Sequence, residues 1–472
     1  MKRDWKRATG KFALAALVLS SLLNVSTAPA NATLTSAEIR LVTPSIIPGT
    51  NAWSGQADMD SWIGNTWYAA GSTWARVWTP VGSSVVITYF ASDPATGAPL
   101  ADTVVKLRVN KGYSGSNALV KVGSSAIASG IERGTGVDQL QVTATTDQFG
   151  YVTFVLEDTD TVGPAQPASL TDAPPTNTLY DPTISLYSQV FPEITGQGTD
   201  KADMVEFQYY TPGGSALVSN DLSSTTARLA GPVPTDTNAV HRTDLETEFS
   251  VNHDWYAQGI KVYQKYHKVN TTSNLVYTVK DDNGAWVANT NVTLSVGKAY
   301  SSSNAHVTNG TTATNTGAAA DADQATWTAT TDPFGTVLFK LTNTDTSGEA
   351  VPASLSTATP ETGALYSQIW PVVAGTSSNI ADMLEYHFYT PPAPPAPQVT
   401  AITQSVSARK LTVTVRYPKN KTVAITVGSY TFSNKPAVGQ TTATYTISVP
   451  KGTHKVTVVC NGKKSVKTYK VK

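Results

Sequence analysis

Apolar and polar residues alternate with a period of two along much of this 472-residue chain. Val105, Leu107 and Val109 are interleaved with Lys106 and Arg108, and Val292, Leu294 and Val296 with Thr293 and Ser295. Val152, Phe154 and Leu156 keep the same beat, as do Val337, Phe339 and Leu341. Successive side chains of a strand point to opposite faces, so this pattern predicts strands with one face on a core. Towards the C-terminus, Leu411, Val413 and Val415, then Val423, Ile425 and Val427, then Tyr445, Ile447 and Val449, predict three more strands. Val456, Val458 and Cys460 predict a fourth, and Asn461-Gly462 a two-residue hairpin turn into a last strand. The Asp147–Gly150 and Asp332–Gly335 segments read as turns, with glycine free to take positive φ. No convincing amphipathic helix emerges, and the expected fold class is all-β, built from antiparallel sandwiches.

The pattern is also copied. Ten of the fourteen positions from Thr143 to Leu156 recur identically from Thr328 to Leu341, at an offset of 185. Arg40-Leu41 recurs as Arg228-Leu229, Trp67-Tyr68-Ala69 as Trp255-Tyr256-Ala257, and ADMVEFQYYTP from Ala202 as ADMLEYHFYTP from Ala381. The offset drifts from 188 to 179 along the repeat, which puts the length changes in loops. The expected units are repeats 33–213 and 221–392, a proline-rich linker 391–398, and a basic C-terminal β-domain 399–472, itself immunoglobulin-like. Tandem duplication lengthens a surface protein or multiplies its contacts more readily than it serves catalysis.

One order of elements carries a resemblance: a strand, Asp281-Asp282-Asn283-Gly284, a Val-x-x-x-x-Val-x-Leu strand, a long loop, and Thr331-Asp332-Pro333-Phe334-Gly335 before another strand. It resembles the bacterial immunoglobulin-like (Big) domains of the invasin and intimin type. The first repeat has a looser version at Ser92–Gly97 and Thr146–Gly150. The resemblance implies extracellular, rod-forming or adhesive modules of immunoglobulin-like fold. Both repeats exceed the ~100 residues of a plain immunoglobulin sandwich. The surplus lies in loops 112–138, 159–183, 300–323 and 342–363, read as solvated spacers or contact-bearing tips.

Five lysines and arginines precede an apolar run from Phe12 to Val25, and Ala30-Asn31-Ala32 offers a small-x-small cleavage site. Residues 1–32 therefore read as a signal peptide, with no transmembrane segment after its removal. Cys460 is the single cysteine, expected inert in the core, so no intrachain disulfide can form. Net charge is zero overall but divided. From Ala393 onward there are 13 basic and no acidic residues, whereas residues 33–392 carry 16 basic and 33 acidic. A basic end suits anionic partners, and an acidic body repels them.

The six histidines have no metal-ligand or triad spacing, and no nucleophile elbow, phosphate loop or zinc motif is present. Catalytic and cofactor-binding residues are therefore expected to be none, and the protein no enzyme. Asp158, Asp160, Asp281, Asp282 and Asp345 lie in clusters of hard oxygen donors near strand ends. They would either hold calcium or cap turns. Trp62, Trp74 and Trp78 have no tryptophan counterpart in the second repeat, and either stack on sugars or pack inside. Lys451, Lys455, Lys463, Lys464 and Lys467 either bind envelope polymer or solubilise the tail.

The combined expectation is a non-enzymatic, exported bacterial cell-surface protein, structural or adhesive, secreted to the envelope. Its acidic repeats would project from a basic domain that holds an anionic cell-wall polymer or surface glycan, with self-assembly as in an S-layer-like coat and no nucleic-acid partner. The alternative is a secreted carbohydrate-binding or carbohydrate-processing protein.

Overall fold

A computed structural model describes residues 37–46, 52, 71–110, 116–122, 125–127, 139–172, 186–194, 201–213, 222–234, 238–252, 259–297, 303–308, 324–350, 365–376, 379–392, 398–404, 410–417, 423–434, 442–460 and 463–471. The chain divides into two compact units at the proline run, Leu34–Pro394 and Pro395–Lys472.

In the first repeat the described strands are β1 (Glu38–Thr43), β2 (Thr73–Pro80), β3 (Ser84–Ser92), β4 (Val104–Asn110), β5 (Leu119–Val122), β6 (Ser125–Ile127), β7 (Gln139–Thr145), β8 (Tyr151–Glu157), β9 (Tyr187–Ile194) and β10 (Lys201–Tyr210). One sheet runs β6-β5-β8-β3-β1 and the other β2-β10-β9-β4-β7. Strand β1 ties the two together, antiparallel to β3 and parallel to β10. The core lies between them, where Ile87, Val105, Leu107, Val109, Phe154 and Phe207 are essentially sealed from solvent. The alternating positions of β4 are the ones that meet this core, as period two requires.

The second repeat has the same plan: β11 (Thr225–Gly231), β12 (Val240–His241), α1 (Thr243–Asn252), β13 (Lys261–Lys268), β14 (Thr271–Asp281), β15 (Asn291–Gly297), β16 (Ala305–Thr308), β17 (Gln324–Thr330), β18 (Thr336–Asn343), β19 (Tyr366–Val373) and β20 (Asn379–Tyr389). Its sheets are β16-β18-β14-β11 and β17-β15-β19-β20-β13-β12, again linked by a strand that pairs both ways, β11. Helix α1 is a short exception in an otherwise all-β chain, and it is not amphipathic. Apolar periodicity misses it because it is short and polar; its signal is the capping sequence Thr243-Asp244-Leu245-Glu246, with two carboxylates in the first turn. Among the described residues no helix is long and apolar enough to cross a membrane.

The tail unit is a smaller sandwich of β21 (Gln398–Gln404), β22 (Lys410–Arg416), β23 (Val423–Val427), β24 (Tyr430–Asn434), β25 (Thr442–Ser448), β26 (Gly452–Cys460) and β27 (Lys463–Val471). Sheets β21-β22-β25 and β24-β23-β26-β27 close on a core that includes Val413, Ile425, Val458 and Cys460. The protein is thus all-β apart from α1: two large immunoglobulin-like sandwiches followed by a small one.

Candidate functional site

The repeated Thr-Asp-x-Phe-Gly turn does more than reverse the chain. Within each turn the aspartate closes its own loop: Asp147 Oδ1 accepts from Phe149 N and Tyr151 N at 2.9 and 3.0 Å, and Asp332 Oδ1 from Phe334 N and Thr336 N at 2.9 and 2.8 Å. Gly150 and Gly335 hold φ of 84° and 67°, and a Cβ would come within 2.9 Å of Ala91 O and 2.5 Å of Val279 O respectively. Only glycine fits there.

The second carboxylate oxygen reaches into the other repeat. Asp147 Oδ2 accepts from Asn274 N at 3.1 Å, and Asp332 Oδ2 accepts from Val86 N at 2.9 Å. Val86 and Asn274 are equivalent positions, so the two bonds are mates about a pseudo-two-fold axis. The turn phenylalanines follow them. Phe334 belongs to the core of the first repeat, 6.4 Å from the Phe207 ring. Phe149 packs on the second, 6.1 Å from Tyr386, which is the counterpart of Phe207. Each repeat therefore completes the other's core with one aromatic ring. Burying a phenylalanine contributes about 2–3 kcal/mol, so the exchange makes the junction firm.

Burial sets the charges here. It pushes Asp332 up to about 7 against its three amide donors, and Asp147 up to about 6 against the amides of Asn274, Tyr151 and Phe149 and the charge of Lys265. Lys265, whose Nζ lies 5.1 Å above the Phe149 ring, is drawn down to about 7 by burial despite the nearby Asp147. Among the contacts that break the symmetry, Tyr151 Oη accepts from Val233 N at 3.0 Å, a reach that its counterpart Thr336 lacks.

The outer faces of the β2-β10-β9 and β13-β20-β19 layers carry buried charge. Glu206 meets Arg76 at 2.5 Å, Gln189 at 2.7 Å and Gln208 at 2.5 Å. In the second repeat Gln208 is replaced by His387, held between Glu349 and Glu385 at 2.9 and 2.8 Å, with Arg242 3.3 Å from Glu385. Burial alone would lower the His387 pKa, but the two carboxylates raise it instead. Glu349 lies 38 residues away and leaves no local trace of this trio; the one local signal is Glu-x-His on a strand, which puts Glu385 and His387 on the same face.

The predicted metal residues fall into two arrangements. Asp160 binds Asn117 through N and Nδ2 at 2.8 and 2.7 Å, and Asp345 binds Asn304 the same way at 3.0 and 2.7 Å. These are straps between a strand end and the approach to β5 or β16. Asp158 accepts from Gly82 N, and Asp281 closes its turn with Asn283 N and Ala285 N, while Asp282 accepts from Ser223. Among the described residues no three His, Cys, Asp or Glu side chains converge to hold a metal ion.

Trp74 and Trp78 lie on β2 and are 9% and 7% exposed. Trp74 packs edge-on to Phe191 and Trp78 to Tyr210, and Trp78 Nε1 donates to Asp172 O. Their ring faces are packed inside rather than presented to a sugar; Trp62 is outside the described residues. Lys451, Lys455, Lys463, Lys464 and Lys467 are all exposed, gathered on the β26–β27 hairpin. Among the described residues β27 pairs only with β26, so it is an edge strand of its sheet, with Lys463 and Lys467 on one face and Lys464 on the other.

No protein-family model matches the chain, and no curated protein does either. Among solved structures it is similar to the Escherichia coli adhesin FdeC at 13% identity, over 92% of this chain and 96% of that one, with a TM-score of 0.20. It is also similar to the BSP domain of a biofilm associated protein (12% identity, 86% and 67% coverage, TM-score 0.17) and to Sidekick-1 immunoglobulin domains (8%, 84% and 57%, 0.21). Scores this low carry no argument about activity, and the assignment to immunoglobulin-like sandwiches rests on the sheets themselves.

Proposed function

We propose that this is an exported bacterial surface protein with a structural or adhesive role, whose two acidic repeats, of the invasin and intimin type, are held on the envelope by a basic C-terminal domain. The observation that carries the reading is the division of charge between the compact units: 13 basic and no acidic residues from Ala393 onward, against 33 acidic and 16 basic in residues 33–392. An anionic wall polymer or surface glycan attracts the first unit and repels the second. The interlocked repeats support a load-bearing role, since a joint with shared core residues does not flex freely. No catalytic step is assigned, because the buried His387 trio and the interlocking turns are used in holding the fold.

Attachment by charge is sensitive to salt. Cells washed in high salt should release the intact protein, and removal of residues 393–472 should send the repeats into the medium. Retention of the shortened protein on washed cells would refute this assignment of the tail.

A further inference from the structure

Between the repeats, to one side of the pseudo-two-fold axis, lies a cleft of about 470 Å³ walled by Asp102, Thr145 and Gln148 of the first repeat and Lys268, Asn274 and Lys340 of the second. We propose that this cleft binds a carboxylate-bearing sugar unit. Its size suits a small ligand of one or two rings rather than a lone inorganic ion.

Cations set the choice of an anionic ligand. Neither Lys268 nor Lys340 has an ion pair among the described residues, and burial without a compensating carboxylate lowers the pKa of Lys340. A half-buried ammonium in that state gains from an incoming carboxylate. The hydroxyl of Thr145 and the amides of Asn274 and Gln148 are groups that exchange hydrogen bonds with sugar hydroxyls. Asp102 disfavours a second negative charge close by, which argues for a monoanionic carboxylate over a phosphate dianion.

The polar lining of the cleft is not repeated at the mate position across the axis. The counterparts of Lys268, Lys340 and Asn274 are Pro80, Val155 and Val86. An interface made by duplication begins with both sides alike, so the polar side is a divergence confined to one of them. Its walls are fixed by the Asp147–Asn274 bond and by Lys268 N donating to Gln148 Oε1 at 2.9 Å. Binding here goes beyond attachment to the envelope and is independent of it.

Calorimetric titration of the full chain with a glucuronic-acid-containing disaccharide, its neutral glucose counterpart and inorganic phosphate tests the assignment. The acidic disaccharide should bind, and Lys340→Gln and Lys268→Gln should each weaken it about tenfold. Asp102→Asn should tighten it several-fold; that change is structurally safe, because Asp102 (φ 52°) has Asn289 (φ 51°) as its counterpart. An increase in affinity cannot come from misfolding. Lys463→Gln with Lys464→Gln should leave the affinity unchanged, which separates the cleft from the basic tail. The proposal is overturned by equal binding of the neutral sugar, by phosphate binding as well as the acidic sugar, by weakening only in the tail variant, or by no saturable binding at about 10 mM, tenfold above a millimolar dissociation constant.

Discussion

Asp158 and Asn343 stand at equivalent strand ends, and each faces the aspartate two residues on. In the second repeat Asn343 Nδ2 donates to Asp345 Oδ2 at 2.6 Å. In the first repeat burial, aided by the hydrogen bond and charge of Asp160, pushes Asp158 up to about 7, so below that pH a proton is available to supply the donor that the amide supplies in its copy. This folded value lies above that of an unfolded aspartate, near 4. The stabilisation therefore belongs to the protonated form, is complete below about pH 4, and is lost as pH rises through 7. Asp158→Asn should remove that loss. The melting temperature at pH 8 should rise by about 2–4 °C for each kcal/mol recovered, with little change at pH 4; an unchanged pH profile in calorimetry would refute the shared proton. The sequence marked these residues as oxygen-rich, and only their packing tells a proton-sharing strap from a metal loop.

At the scale of the element, the Thr-Asp-x-Phe-Gly turn was legible as a turn but not as a joint. Asp332 and Gly335 announce their local tasks by residue type, whereas the reach of Asp332 Oδ2 to Val86 spans 246 residues and leaves no local trace. Position decides the glycine's importance as well. Gly335→Ala would set a methyl group against Val279 O, whereas Gly97, with φ of 68°, has nothing within 4 Å of its would-be Cβ. Both substitutions carry the left-handed strain of about 1–2 kcal/mol, but only the first adds a backbone clash. Urea denaturation should show Gly97→Ala losing about that amount and Gly335→Ala clearly more; equal losses would mean that the turn gives way easily. Helix α1 is the converse case, since its capping residues are local while it has almost no apolar face for periodicity to reveal. On β27 the lysines mark an edge strand, a property that depends on which strands lie beside it.

For the whole molecule, the exchanged rings predict that the repeats melt together. Truncating the buried Phe334 to alanine should destabilise by about 3–5 kcal/mol, truncating the half-buried Phe149 by less, and the double variant should split one calorimetric transition of the Leu34–Pro394 unit into two. A double variant that still melts in a single step would show that the rings do not couple the repeats. Alternation with period two dictated strands, the copied segments dictated two like domains, and the proline run marked where one compact unit ends, because each of these signals is a short-range rule of backbone geometry or composition. The interlocked cores, the burial of Trp74 and Trp78, the His387 trio and the polar cleft were decided only in three dimensions, since each joins residues from distant strands, and burial and charge pairing depend on neighbours that no local stretch of sequence contains.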